Sequence, residues 1–152
     1  MNLFTDMDRR CSGLEQLRTL LGVPQWPEIG KLLHFALIEL DVGRAVFEGV
    51  PDPNAYNPLG VVHGGYAATL LDSACGTAVH SSLTADQAYT TIELKVQYHR
   101  AITLTTGRVR AEGRLLTLGR RVAFAEGRLV DGQGRLHASA TSTMLVFDRK
   151  LT

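Results

Sequence analysis

The stretch HGGYAATLLDSACGTAVHSSL, from His63 to Leu83, decides the fold. Tyr66, Leu70, Ser73 and Thr77 recur at helical spacing on one stripe, and Ala67, Leu71, Ala74 and Ala78 on the next. The segment is apolar nearly all round and dominated by small side chains. It therefore predicts a helix enclosed by other structure instead of one lying on a surface.

Upstream of it, Pro51, Pro53, Asn54, Asn57 and Pro58 break the chain into a polar loop without regular structure. Before that loop, KLLHFALIEL and RAVFEGV are two apolar-rich runs that flank a turn carrying Asp41 and Gly43, which is a hairpin signal. The first segment, up to Gly22, places Leu14, Leu17, Leu20 and Leu21 at helical spacing and predicts a short amphipathic helix. Pro24 and Pro27 punctuate the link that follows it.

Downstream, four runs read as strands: YTTIELKVQYHRAI, TGRVRAEGRLLTL, RRVAFAEGRLV and RLHASATSTMLVF. LGRR and DGQG form the last two turns. In the final run Leu136, Ala138, Ala140, Met144 and Val146 share one face, and His137, Ser139, Thr141 and Thr143 the other. EGRL recurs at Glu112 and Glu126, which reads as two neighbouring strands of like pattern, since there is no third copy. Strands gathered around one helix predict an α+β domain whose single antiparallel sheet curls over that helix.

Composition narrows the function classes. The chain has 152 residues, 45% hydrophobic and 20% charged, which is enough for a full core without a metal or disulfide staple. Sixteen basic against 15 acidic residues give a net charge of +1, so nucleic-acid backbone binding lacks its electrostatic footprint. No apolar run reaches membrane-spanning length. Cys11 and Cys75 are far apart with no CxxC pair, and the N-terminus has no signal-peptide pattern, so a cytoplasmic protein with reduced thiols is expected. His34, His80, His99 and His137 show no metal-ligand spacing, and no metal site is expected.

The chemistry concentrates in Asn57-Pro-Leu-Gly-Val-Val-His63-Gly64-Gly65, with Asp72 nine residues after the histidine. Two glycines at a helix start let a substrate approach the backbone closely. The first N–H groups of a helix lack intrahelical partners and lie at the positive end of the dipole, so they suit an oxygen gaining negative charge on an attacked carbonyl. Asp72 is an acid on an otherwise apolar helix, and its neighbours Ala68 and Gly76 predict open space beside the carboxylate. Such a carboxylate is costly unless it has a partner or a task. Each residue also has a plainer reading: Asn57 as stabiliser of its proline-rich loop, His63 as helix cap, Gly65 as turn former, Cys75 as a small core side chain.

The N-x-x-G-x-x-H-G-G motif followed by L-x-D resembles the hotdog-fold acyl-CoA thioesterases, especially the phenylacetate-degradation type, over about residues 30–147. The resemblance implies a hotdog fold, with residues 1–29 as an N-terminal helical extension and 30–152 as the thioesterase domain. It implies hydrolysis of an acyl-CoA to free acid and coenzyme A, with Asp72 as nucleophile or general base. The Gly64 N–H would polarise the carbonyl, Asn57 hold the water or the carboxylate, and His63 support the carbonyl site. Gly65, Thr91 with the adjacent Thr90, and the turn cations Arg120 and Arg121 would meet substrate. Gly76 departs from certain relatives that carry serine there, which bears on acyl preference. Coenzyme A would be part of the substrate, so no cofactor is implied.

Helix geometry adds a constraint. Gly64 and Asp72 are eight residues apart on one helix, a rise of about 12 Å. A single thioester carbonyl reaches both only if they come from two copies, which predicts a homodimer; a dimer of dimers is expected beyond it, although this geometry does not decide between dimer and tetramer. Two other classes remain open at this stage: a hydratase or dehydratase of acyl thioesters, and a non-catalytic acyl-CoA-binding module.

Overall fold

The computed structural model describes residues 10–22 and 29–149. Helix α1 spans Gly13–Arg18 and α2 Ile29–Leu33. Strands β1 (Phe35–Asp41) and β2 (Arg44–Gly49) form the expected hairpin, and α3 spans Gly64–His80. Strands β3 (Gln87–Tyr98), β4 (Val109–Leu118), β5 (Val122–Asp131) and β6 (Leu136–Asp148) follow. All strands join one antiparallel sheet in the order β1-β2-β4-β5-β6-β3. The sheet wraps α3, as the enclosed helix required.

The enclosure is tight because the sheet is stripped of side chains where the helix crosses it. Gly113 on β4 pairs in register with Gly127 on β5. A Cβ at Gly113 would run into the Ala74 backbone, and one at Gly127 would lie 3.0 Å from Leu71 and 3.1 Å from the Cys75 sulfur. These two glycines are the centres of the two EGRL runs, so the repeat is indeed a pair of adjacent strands. Leu70, Leu71 and Ala74 of the helix are fully buried with Leu37, Phe47 and Leu129 of the sheet.

Several local expectations are corrected. The first four residues of KLLHFALIEL are not strand: Lys31, Leu32 and Leu33 close the helix Ile29–Leu33, and His34 leaves it at φ +56 before β1 begins at Phe35. The proline-rich loop holds a short 3-10 helix, Pro53–Ala55, capped by Asp52, and a bridge between Tyr56 and Val62. Helix α1 has a capping box from Ser12 and Glu15 and buries Leu17, but it ends at Arg18, so Leu21 lies beyond it and is exposed. Residues 1–9 and 23–28, with Pro24 and Pro27, lie outside the described part of the expected extension. His137 is buried despite its place on the polar face of β6, because Asp131 folds over it from the DGQG turn.

Strand β3 is not beside its sequence neighbour β4. It pairs only with β6 and forms an open edge twelve residues long. Its register slips between Thr91 and Glu93, a bulge at Ile92. The slip changes which residues face the helix. Tyr89 and Thr91 face inward before the bulge, and Leu94 and Val96 face inward after it. Edge strand and helix therefore run antiparallel, with Gly64 beside Tyr98, Asp72 beside Thr91 and Gly76 beside Tyr89.

Candidate active site

The helix start is set by backbone ties to two loops. The His63 N–H donates to the Ala55 carbonyl at 2.7 Å, and the Val62 N–H to that of Ile102 at 2.9 Å. His63 is the N-cap of α3: its Nδ1 accepts the Gly65 N–H at 2.8 Å, and its carbonyl accepts the Tyr66 N–H at 3.0 Å. The Gly64 N–H is the donor left over, with no partner among the described residues. His63 thus caps the helix through Nδ1, which leaves the ring proton on Nε2, and Gly65 supplies the capped N–H.

Asn57 serves its own loop. Its Oδ1 accepts from the Leu59 N–H at 2.9 Å and the Val61 N–H at 3.3 Å, while Gly60, at φ +80, completes the turn. The loop-stabilising reading of Asn57 is therefore realised within the protomer, and its carboxamide does not touch Asp72.

Asp72 lies two turns along α3, half-buried, and its Oδ1 accepts the Thr91 hydroxyl at 3.0 Å. Of the two threonines, Thr91 is the one brought to the acid. Thr90 points to the opposite, exposed face of β3, which corrects its expected place at the site. Open space beside Gly76 is a second correction: Tyr89 fills it, with ring carbons 3.0 Å from where a Cβ would stand. Burial, and then the nearby charge of Asp72, push the Tyr89 phenol up in pKa. The same two causes, in the same order, raise the Cys75 thiol to about 12, so Cys75 is an inert core side chain and not a nucleophile.

A cavity of about 360 Å³ opens at the helix start, with His63, Gly64, Tyr98, Arg100, Ile102 and His137 in its wall. Arg120 and Arg121 do not reach it; they line a separate depression with Gln87, Phe147 and Asp148. Tyr98, Arg100 and His137 were not singled out from the sequence. His137 gives Nε2–H to Asp131 Oδ2 at 3.1 Å, and its Nδ1 lies 3.3 Å from the Arg100 carbonyl. Burial alone would raise the Asp131 carboxyl. Hydrogen bonds from His137, from the Arg135 backbone and side chain and from the Gln133 N–H instead hold it well below the usual carboxylate range. The His137 carbonyl, which accepts the His99 N–H at 2.8 Å and the Arg100 N–H at 3.2 Å, holds the 99–100 segment at the cavity wall. Among the described residues no group of three His, Cys, Asp or Glu side chains is placed to hold a metal ion.

An unpaired amide at a helix N-terminus and a hydroxyl-held carboxylate on the same helix can polarise a carbonyl and activate an attack on it. Relatives bear on the chemistry. The Thioesterase superfamily profile matches residues 59–138, just over half the chain. The proofreading thioesterase EntH of Klebsiella pneumoniae is 29% identical over 119 residues, 77% of this chain and 85% of that one. A thioesterase of Pseudomonas aeruginosa superposes with TM-score 0.76 at 26% identity, covering 90% of this chain and 94% of that one. The phenylacetic acid degradation protein PaaI of Thermus thermophilus gives TM-score 0.70 at 26% identity, covering 77% and 96%. Among the described residues no helix is long and apolar enough to cross a membrane. The chain belongs to the thioesterase superfamily and is a thioester hydrolase of the hotdog fold.

Proposed function

We propose that the substrate is an acyl-CoA and that each active site is shared between two protomers. The observation that carries this reading is the separation of Gly64 and Asp72 on one unbroken helix: eight residues of rise is about 12 Å, too far for one carbonyl to meet both. A second copy added along the open β3 edge would lay its α3 antiparallel beside the first and bring its Asp72 to the Gly64 of this one. It would also satisfy an edge that otherwise presents unpaired backbone groups.

In that arrangement the Gly64 N–H of one protomer donates to the thioester oxygen. Asp72 of the other takes a proton from water as the water oxygen adds to the carbonyl carbon, or adds to that carbon itself. The C–S bond then breaks and coenzyme A leaves as thiolate. The Thr91 hydroxyl donates to Oδ1 of the carboxylate and holds its orientation. A phosphate contact of coenzyme A from Arg100 is supported by its position in the wall of the cavity beside the helix start, whereas Arg120 and Arg121 line another depression.

Mixed dimers test this. Asp72→Ala lowers thiol release from acyl-CoA by about 10²–10⁴-fold, the range for a lost general base. Gly64→Pro removes the N–H at a helix position whose backbone suits proline, its added carbons displacing the exposed Tyr98 ring by a few tenths of an ångström, and lowers it as well. Dimers purified with one chain of each variant recover one working site. Failure of the purified mixed dimer to recover activity would place both groups in service within a single chain and overturn the shared site.

A further inference from the structure

The peptide group between Gly64 and Gly65 is held at both ends. Its N–H, on Gly65, donates to His63 Nδ1 at 2.8 Å; its carbonyl, on Gly64, accepts the Tyr98 hydroxyl at 2.9 Å. Tyr98 also covers Gly64 itself: a Cβ there would meet its ring and hydroxyl at 3.0–3.2 Å. That hydroxyl comes from the last residue of β3, thirty-four positions away in sequence, and the side chain is otherwise 57% exposed. An exposed tyrosine gains little from burial here, so its one specific contact is the glycine that carries the free amide.

We propose that Tyr98 is a positioning residue for the thioester carbonyl: with His63 it clamps the Gly64–Gly65 peptide, while the His63 carbonyl, accepting from the Tyr66 N–H, holds the adjoining peptide that carries the Gly64 N–H, so that rotation about Gly64 is closed from both sides and the N–H keeps its direction. The physical reason is glycine's freedom. Gly64 and Gly65 stand at the first two positions of α3, where intrahelical bonds do not yet restrain the N–H groups and two residues without Cβ can rotate at little cost. A donor that must meet an oxygen as charge develops works through preorganisation, and a wobble in its direction forfeits the gain. The clamp restores the rigidity that the glycines lack while acting on the carbonyl side of Gly64 and leaving its N–H unpartnered among the described residues. It also joins the catalytic helix to the edge strand: Thr91 and Tyr98 of β3 hold the acid and the amide at the two ends of one groove.

The inference rests on the Gly64 reading above, and its test separates the two. Tyr98→Phe keeps the ring against Gly64 and removes only the O–H. It lowers kcat for acyl-CoA by about 5- to 30-fold, less than the 10²–10³ lost with a whole oxyanion donor, and leaves KM and the melting temperature nearly unchanged. A direct readout is the carbonyl stretch of a non-hydrolysable ketone analogue of acyl-CoA, labelled with carbon-13, bound to the full protein. Binding to the wild type moves the stretch to lower frequency, and Tyr98→Phe reduces that displacement. An unchanged kcat and an unchanged stretch in Tyr98→Phe, with activity still lost in Asp72→Ala, overturn the clamp alone. No displacement in the wild type, or full activity of Gly64→Pro, overturns the Gly64 reading and the clamp with it.

Discussion

The Thr91 hydroxyl lies 3.0 Å from Asp72 Oδ1, across the groove between the edge strand and the enclosed helix. Donation of that hydroxyl fixes one carboxylate oxygen and leaves the other free to act. The contact exists because of the bulge at Ile92. Without that slip, a strand with Leu94 and Val96 on the core side would turn Thr91 outward, to the face where Thr90 and Glu93 now stand.

Thr91→Val is therefore the mildest probe of the acid. It keeps the branched shape and removes the donor. A hydrogen bond to a charged group is worth about 1.5–3 kcal/mol, and 1.4 kcal/mol is about tenfold in rate. Thiol release from acyl-CoA is expected to fall by about 10- to 150-fold. Thr91→Ser, which keeps the hydroxyl, retains most of it. Steady-state kinetics on the two variants decide the matter, and equal rates for valine and wild type would remove Thr91 from the site.

Much of this groove was legible in the sequence, for a physical reason. The enclosed helix announces itself through small residues because only small residues let a sheet close over it, and Asp72 stands out against them. The HGG start is equally local, since capping and glycine freedom are decided within a turn. The partners across the groove are not local. That β3 leaves its sequence neighbour and pairs with β6 is a long-range choice that no alternation pattern encodes. Tyr98 and Tyr89 meet Gly64 and Gly76 only as a result of it. His137 was misplaced for a related reason: period-two alternation puts it outside, and only the folded DGQG turn brings Asp131 over it.

Gly76 and Tyr89 form a size-matched pair, one turn of helix beyond Asp72. Gly→Ala inside a helix ordinarily stabilises by about 1 kcal/mol. Here the new methyl would meet the Tyr89 ring at 3.0 Å and its hydroxyl closer still, and overpacking costs about 1–3 kcal/mol. Gly76→Ala is thus expected to lower the melting temperature by a few degrees, at about 2–4 °C per kcal/mol for a chain of this size. In a Tyr89→Leu background the clash is gone, and the same change becomes neutral or stabilising. A thermal double-mutant cycle measures the reversal; additive effects would mean that the two residues do not compete for one space.

His80 closes α3 and gives the protein a specific weakness in mild acid. It is buried, with its ring packed edge-on against Tyr89 at 5.9 Å between centroids. Its Nε2 lies 3.0 Å from Gln16 Oε1, and the Gln16 amide nitrogen donates to the Cys11 carbonyl, so the glutamine oxygen accepts and the histidine donates. Burial, with a smaller contribution from the charge of Arg149, lowers the His80 pKa from 6.5 to about 4. A depressed histidine binds its proton more readily when unfolded. Its contribution is therefore complete above pH 6.5, declines as pH falls from 6.5 toward 4, and is gone below that. At 1.36 kcal/mol per unit the loss is on the order of 3 kcal/mol. Carboxylates held low in the fold, Glu39, Glu112 and Asp131, also lose stabilisation in acid, so the wild-type curve alone does not isolate the histidine. His80→Gln keeps an amide that can donate to Gln16 and cannot take up the proton. Its melting temperature is expected to fall less than the wild type's between pH 7 and 4, and parallel curves for the two proteins would exclude His80 as the source.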